Sequence, residues 1–253
     1  MHWLSHRHVG ELPAAWHDFI EASFVPWSSL SEEERSRLTE LTTELIDRKR
    51  WEAARGFELT DEMKVVISVH AALLILELDH RYYRNVSAVI VHPTTVVLQG
   101  PRAGPAPGLV TDSPMPILGQ ARQYGPVVIA WDSARQEARH PERGHNVIYH
   151  EFAHKLDMLT GSADGTPPMD RSDADRWMEV CTREYDLLAA GRGGHLLRAY
   201  GAVNRGEFFA VATEVFFDKP VEMHRHKSDL YEVLAAFYRQ DPATRADRGQ
   251  PAQ

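Results

Sequence analysis

Asn146-Val147-Ile148-Tyr149-His150-Glu151-Phe152-Ala153-His154-Lys155-Leu156-Asp157 is an apolar run without Gly or Pro, long enough to be helical, and it carries His-Glu-x-x-His at its centre. A helix turns about 100° per residue, so residues four apart stand above one another, and His150 and His154 present both imidazoles to one point. That pair is half of a tetrahedral zinc site. Glu151, one step round from His150, is kept off the metal but close to a water held there, where peptide hydrolysis needs a general base. Tyr149, Phe152, Ala153 and Leu156 make the rest of the helix apolar, so two His and one Glu on its inner side need polar partners. A metal ion is the most economical one.

Catalytic zinc usually holds three protein ligands and leaves a fourth position open, so a further ligand is expected downstream. The candidates are Glu179, Glu184, His195, Glu207 and Glu214. Glu207-Phe208-Phe209-Ala210-Val211-Ala212-Thr213-Glu214-Val215-Phe216-Phe217 has a strongly apolar helical pattern with two acids seven apart, hence on one face. Carboxylates among Phe208, Phe209, Val211 and Phe216 are costly to bury unless they face a cation, which singles out this pair. Spacing does not choose between Glu207 and Glu214.

The flanking chain reads as helices first. Ser31-Glu32-Glu33-Glu34 has the form of a capping box, and Leu38, Leu41, Leu45 and Ile46 then recur on one face up to about Arg50. Thr60-Asp61-Glu62-Met63 opens a second helix, apolar nearly all round, which predicts burial between layers, with His70 a satisfied core histidine. From Val86 the pattern changes to short β-branched runs, Val89 to Val91 and Thr94 to Leu98, and later Pro126 to Trp131, which read as strands. Between them Gly100 to Pro116 is rich in Gly and Pro and reads as a loop or flap. The strand at Val127 could accept an extended substrate along its edge. Beyond the His pair, Gly161 to Pro168 is a loop by composition, and Asp173 to Ala190 is a helix whose spacings describe packing.

The 253 residues, 43% hydrophobic and 25% charged, are expected to form a single α+β domain over 1–253, with a helical layer over 12–80 and the sheet and zinc-site core over 86–242. A formal charge of −8 without a basic stripe argues against direct nucleic-acid binding. Residues 1–10 contain His2, His6 and His8 but no apolar h-region, so they read as a mobile arm and not a secretory signal. The longest apolar stretch, Met63 to Leu78, is interrupted by Lys64, His70 and Glu77 and falls short of the roughly 20 residues that span a bilayer. A lone Cys181 cannot close an internal disulfide, which fits a reducing, cytoplasmic setting, and it reads as a small core residue.

Several separated stretches together carry a resemblance: His150 to Asp157, then Asp164-Gly165-x-Pro167-Pro168, Tyr200-Gly201-Ala202 ahead of Glu207 to Val211, and Phe237-Tyr238-Arg239-Gln240-Asp241-Pro242. In this order they resemble the Mlc titration factor A family of zinc metallopeptidases, from the Leu59 to Met63 stretch to near the chain end. The family's catalytic core is similar to that of the anthrax lethal factor protease, which implies a zincin-like core of a small sheet plus an active-site helix with helical packing layers. By position, the resemblance implies His150, His154 and Glu207 as ligands of one Zn2+ per chain, Glu151 as base and Tyr200 as the hydroxyl beside the metal. Glu214 would then be a supporting acid, and Asp157 would orient an imidazole or fix the helix end. It further implies a zinc-dependent peptidase acting on a peptide or protein substrate, aminopeptidase-like on small substrates. The alternative it carries is a regulatory protein that sequesters an Mlc-like transcriptional repressor of sugar-uptake genes. Gln120, Arg122 and Arg198 depart from the family pattern, a matter for substrate and partner preference, not for the metal.

Overall fold

The computed structural model describes residues 12–54, 56–94 and 125–248, and between them the backbone pairs at 97–98, 102–103, 110–111 and 115–116. The expected arm over residues 1–10, and Gln120 and Arg122, lie outside the described residues. Helices α1 (Ala14–Ser23) and α2 (Glu32–Arg48) come first. The capping box forms as read: Ser31 Oγ accepts from the Glu34 N–H at 3.2 Å, and Glu34 Oε2 accepts from the Ser31 N–H at 2.7 Å. Leu38, Leu41 and Leu45 face inward from α2.

Strand β1 (Arg50–Ala53) follows, then α3 (Asp61–Leu74), whose N-cap Thr60 accepts from the Met63 N–H. Every residue of α3 from Val65 to Leu74 is buried, and the helix lies against α1, α2 and the helix that carries the His pair. His70 is the expected core histidine: its Nδ1 lies 2.8 Å from the Val66 carbonyl, between the rings of Phe24 and Tyr149.

β2 (Ala88–His92) pairs in parallel with β1 on one side and with β7 (Val127–Ala130) on the other, in register Ala88 on Arg50 and Val89 on Val127. β1 was not expected. Arg50-Trp51-Glu52-Ala53 has no β-branched residue, and its place is set by parallel pairing to β2 at a sheet edge, not by propensity. The strand read as running to Trp131 ends at Ala130; Trp131 begins α4 (Trp131–Glu137), with Asp132 in its first turn.

The stretch read as loop from Gly100 to Pro116 needs a similar correction. It contributes β4 (Arg102–Ala103) and β5 (Val110–Thr111), which pair antiparallel, and β6 (Met115–Pro116), which pairs antiparallel with β3 (Val97–Leu98), a strand inside the run already read as one. Each is two residues long, a length that Pro tolerates at a ladder end.

The remaining helices are α5 (Val147–Asp157), α6 (Arg171–Ala189), α7 (Arg205–Asp218), α8 (Pro220–His226), α9 (Ser228–Tyr238) and α10 (Pro242–Arg248). α5 packs on β7, α3 and α7. The closing motif, Phe237 to Pro242, does structural work. Tyr238 is buried with its hydroxyl 2.8 Å from Thr213 Oγ1 of α7, and Gln240 Nε2 donates to the Leu73 carbonyl of α3 at 2.8 Å. Arg245 of α10 then donates from Nε and a terminal nitrogen to Glu34 Oε1 at 3.1 and 2.8 Å, joining the last helix to α2. The architecture is therefore α+β, a three-stranded parallel sheet within a mainly helical body. Among the described residues no helix is long and apolar enough to cross a membrane.

Candidate metal centre

Two helices meet at the site, and an Asn starts each. Asn146 caps α5, its Oδ1 accepting from the Ile148 and Tyr149 N–H groups at 3.2 Å each; Asn204 caps α7, accepting from the Glu207 N–H at 2.9 Å. Such caps satisfy N–H groups that the first helical turn leaves without partners, and they fix where each helix begins. Glu207 is thereby set in the first turn of α7, where the helix dipole favours a carboxylate.

His150, His154 and Glu207 come together, with one ligand atom from each within 4.8 Å of the others. Glu207 Oε2 lies 3.0 Å from His150 Nε2 and 3.4 Å from His154 Nε2, yet it is buried without a hydrogen bond of sound geometry. The two Nε2 atoms face one another at 3.2 Å. A carboxylate oxygen left without a hydrogen bond at the point where two ring nitrogens converge is an arrangement that a cation would complete, and the donor set suits zinc. Burial opposes charge on Glu207, but the two facing imidazoles outweigh it and hold the carboxyl well below its usual range. Burial likewise disfavours a charged His150, while Glu207 and Glu214 overcome it and raise the ring to about 10. Positive charge is favoured at this point, as a proton or as a metal ion that replaces it.

Behind the His pair, Glu214 of α7 is fully buried and its Oε1 lies 2.7 Å from His150 Nδ1. Its Oε2 accepts the Asn146 N–H at 2.9 Å, and a terminal nitrogen of Arg198 closes on Oε1. A proton on Nδ1 shared with Glu214 leaves the Nε2 lone pair aimed at the common point, the tautomer a metal ligand needs. Sequence reading placed Glu214 as a supporting acid and noted Arg198 only as a departure; it did not find that the two touch. Asn146 was not singled out either, although an Asn just before an apolar helical run is a capping signal.

Glu151 is buried, and one of its carboxyl oxygens, Oε1, has no hydrogen-bond partner. Burial raises its pKa above the ordinary carboxylate value, against the pull of His150 and His154. Tyr200 lies in a short 3-10 turn, Ala199–Ala202, its ring centroid 6.0 Å from that of His150. Burial, reinforced by the carboxylates of Glu207 and Glu151, pushes its phenol well up, so the hydroxyl stays a donor.

Asp157, the last residue of α5, is tied to the loop that follows. Its Oδ2 accepts the Gly165 N–H at 2.9 Å, and burial pushes its carboxyl up to about 6. Gly165 has φ +78°, and a Cβ there would stand 2.4 Å from the Arg205 carbonyl oxygen, so the loop after the His pair lies directly on the start of α7. Trp177 Nε1 of α6 donates to the Gly165 carbonyl at 3.0 Å. The other third-ligand candidates lie elsewhere: Glu179 and His195 are exposed, and Glu184 pairs with Lys227 at 2.7 Å. Cys181, half-buried, has its thiol raised to about 12 by burial, as befits a packing residue and not a nucleophile.

Comparison with known proteins shows the family to which the chain belongs. The chain is 31% identical over 250 residues to an uncharacterized protein of Synechocystis sp., covering 95% of this chain and 90% of that protein. It is 30% identical over 256 residues to Mlc titration factor A of Serratia proteamaculans, covering 98% of this chain and 95% of that protein. Against Mlc titration factor A of Yersinia pestis the figures are 29% over 254 residues, with 97% and 92% covered. The match to the family described as glucose-regulated metallo-peptidase M90 runs from residue 2 to 239, further toward the start than the motifs alone indicated, and the chain belongs to that metallopeptidase family.

Proposed function

We propose that the chain is a zinc-dependent peptidase with a zincin-like core. One ion is held by His150, His154 and Glu207, the substrate is a peptide or protein, and the activity is aminopeptidase-like. The observation that carries this reading is the convergence of those three ligand atoms beside a buried, unpartnered Glu151 oxygen. A divalent ion so held would act as a Lewis acid, acidifying a water and polarising a scissile carbonyl. Glu151 takes the proton of the attacking water and delivers it to the leaving amine, a role suited to a carboxyl whose pKa burial raises above the ordinary carboxylate value. Tyr200 donates its hydroxyl to the carbonyl oxygen as that atom gains charge.

The test joins metal analysis of the purified protein to a peptide-library cleavage assay with and without a chelator. We expect one zinc per chain and cleavage that the chelator stops. Glu151→Gln should keep the metal and lose turnover, whereas His154→Ala and Glu207→Ala should lose the metal. Cleavage at the unaltered rate by Glu151→Gln would sink the proposal.

A second reading rests on the name shared by the relatives from Serratia and Yersinia. The chain would bind an Mlc-like repressor in the cytoplasm and so act on transcription without touching DNA itself. The two readings are separable: Glu151→Gln protein that still captures a purified repressor of that kind would show binding independent of catalysis.

A further inference from the structure

Arg198 lies two residues before Tyr200 and reaches back to Glu214, the acid behind His150. Among the described residues Glu214 has three hydrogen-bonding partners: the His150 ring and the Arg198 guanidinium at Oε1, and the Asn146 N–H at Oε2. The Arg198 Cζ also stands 5.9 Å from the centre of the Tyr200 ring, close enough for the cation to favour that ring's position. One side chain, only 31% exposed, thus touches both the support of a metal ligand and the hydroxyl-bearing residue.

We infer that Arg198 is a positioning residue of the metal centre, holding Glu214 so that His150 keeps its Nε2 turned toward the ion, and seating Tyr200 beside it. This rests on the reading of His150, His154 and Glu207 as metal ligands. The physical reason is geometric. A carboxylate with two donors at one oxygen and one at the other has a single orientation, and removing the guanidinium frees it to turn away from the ring. A ligand imidazole whose outer partner is loosened binds metal more weakly, typically by about 10- to 100-fold. Lysine can restore the charge but not the planar fork, so it should restore part of the loss.

The experiment measures the Zn2+ dissociation constant, by competition with a chromophoric chelator, for the unaltered chain, Arg198→Met, Arg198→Lys, Glu214→Gln and the Arg198→Met/Glu214→Gln double variant. We expect Arg198→Met to weaken Zn2+ binding by about tenfold or more, Arg198→Lys to recover part of that, and the double variant to bind no more weakly than Glu214→Gln alone. Should Arg198→Met fail to fold, Arg198→Gln takes its place in the series. An unchanged dissociation constant in Arg198→Met, or losses that add in the double variant, would overturn the inference while leaving the metal site standing. An unaltered, folded chain that takes up no Zn2+ would overturn the metal-ligand reading and this inference with it.

Discussion

Tyr200 shows how much one hydroxyl can decide. It is the proposed donor to the developing oxyanion, and donors of that kind are typically worth about 2.7–4 kcal/mol, so Tyr200→Phe should lower kcat roughly a hundredfold or more with zinc content unchanged. Steady-state rates beside metal analysis check this, and an unaltered kcat would remove the residue from the mechanism. His70 makes a different kind of test. Burial holds its ring down to about 4 from the ordinary 6.5, so the folded protein resists a proton that the unfolded chain accepts. The resulting stability is complete above pH 6.5 and is lost as the pH falls from there toward 4, to a total of about 3 kcal/mol. Denaturant unfolding between pH 7 and 4.5 should therefore show a flatter pH dependence in His70→Leu than in the parent, and equal slopes would contradict it. At this scale the His pair, Glu151 and the core role of His70 could be read from spacing and surroundings. Glu207 needed a resemblance to separate it from Glu214, because both acids lie on one face of one helix. The structure separates them by direction: Glu207 points at the two Nε2 atoms and Glu214 at the opposite nitrogen of His150.

Elements were legible where a local signal fixed them and obscure where a neighbour did. The capping box of α2, the Thr60 cap of α3 and the uninterrupted apolar run of α5 are written in adjacent residues. β1 owes its form to pairing with β2, and β4, β5 and β6 owe theirs to two-residue ladders within a Gly- and Pro-rich stretch, so none of them leaves a period in the sequence, whereas β3 lies in a run read as a strand. The loop from Gly161 to Pro168 was legible as a loop, but not as the spacer between the helix of the His pair and the helix of Glu207. Gly165→Ala tests that role. With φ +78° and the Arg205 carbonyl oxygen 2.4 Å from the new Cβ, the variant should lose about 2–3 kcal/mol of stability. It should also bind zinc more weakly, because the backbone that the new Cβ would displace is the first turn of α7, which carries Glu207. Calorimetry and chelator competition measure the two effects, and a variant equal to the parent in both would show that the approach is dispensable.

We propose that the helical layer over 12–80 and the core over 86–242 unfold as one unit across the whole molecule. Contacts between the two ranges support this: Gln240 on the Leu73 carbonyl, Lys49 Nζ on the Val86 carbonyl at 3.2 Å, and the pairing of β1 with β2. Circular dichroism and tryptophan fluorescence should then report coincident thermal transitions. Arg245→Met should shift both together, since breaking a buried ion pair costs about 3 kcal/mol and each kcal/mol moves Tm by roughly 2–4 °C at this size. Two resolved transitions would divide the chain.

Glu34 divides its two oxygens between the first turn of α2 and a guanidinium 211 positions later. The stretch from Glu34 to Arg245 is thus a closed circuit in all but the covalent sense, fastened by one carboxylate. Were its two ends tethered and the chain reopened at the exposed Gly191–Arg192 turn, Glu207 would be synthesised ahead of the histidines instead of after them. Among the described residues His150, His154 and Glu207 are brought together by the contact of α5 with α7, so it is the closed circuit, and not the direction in which it is read, that assembles them.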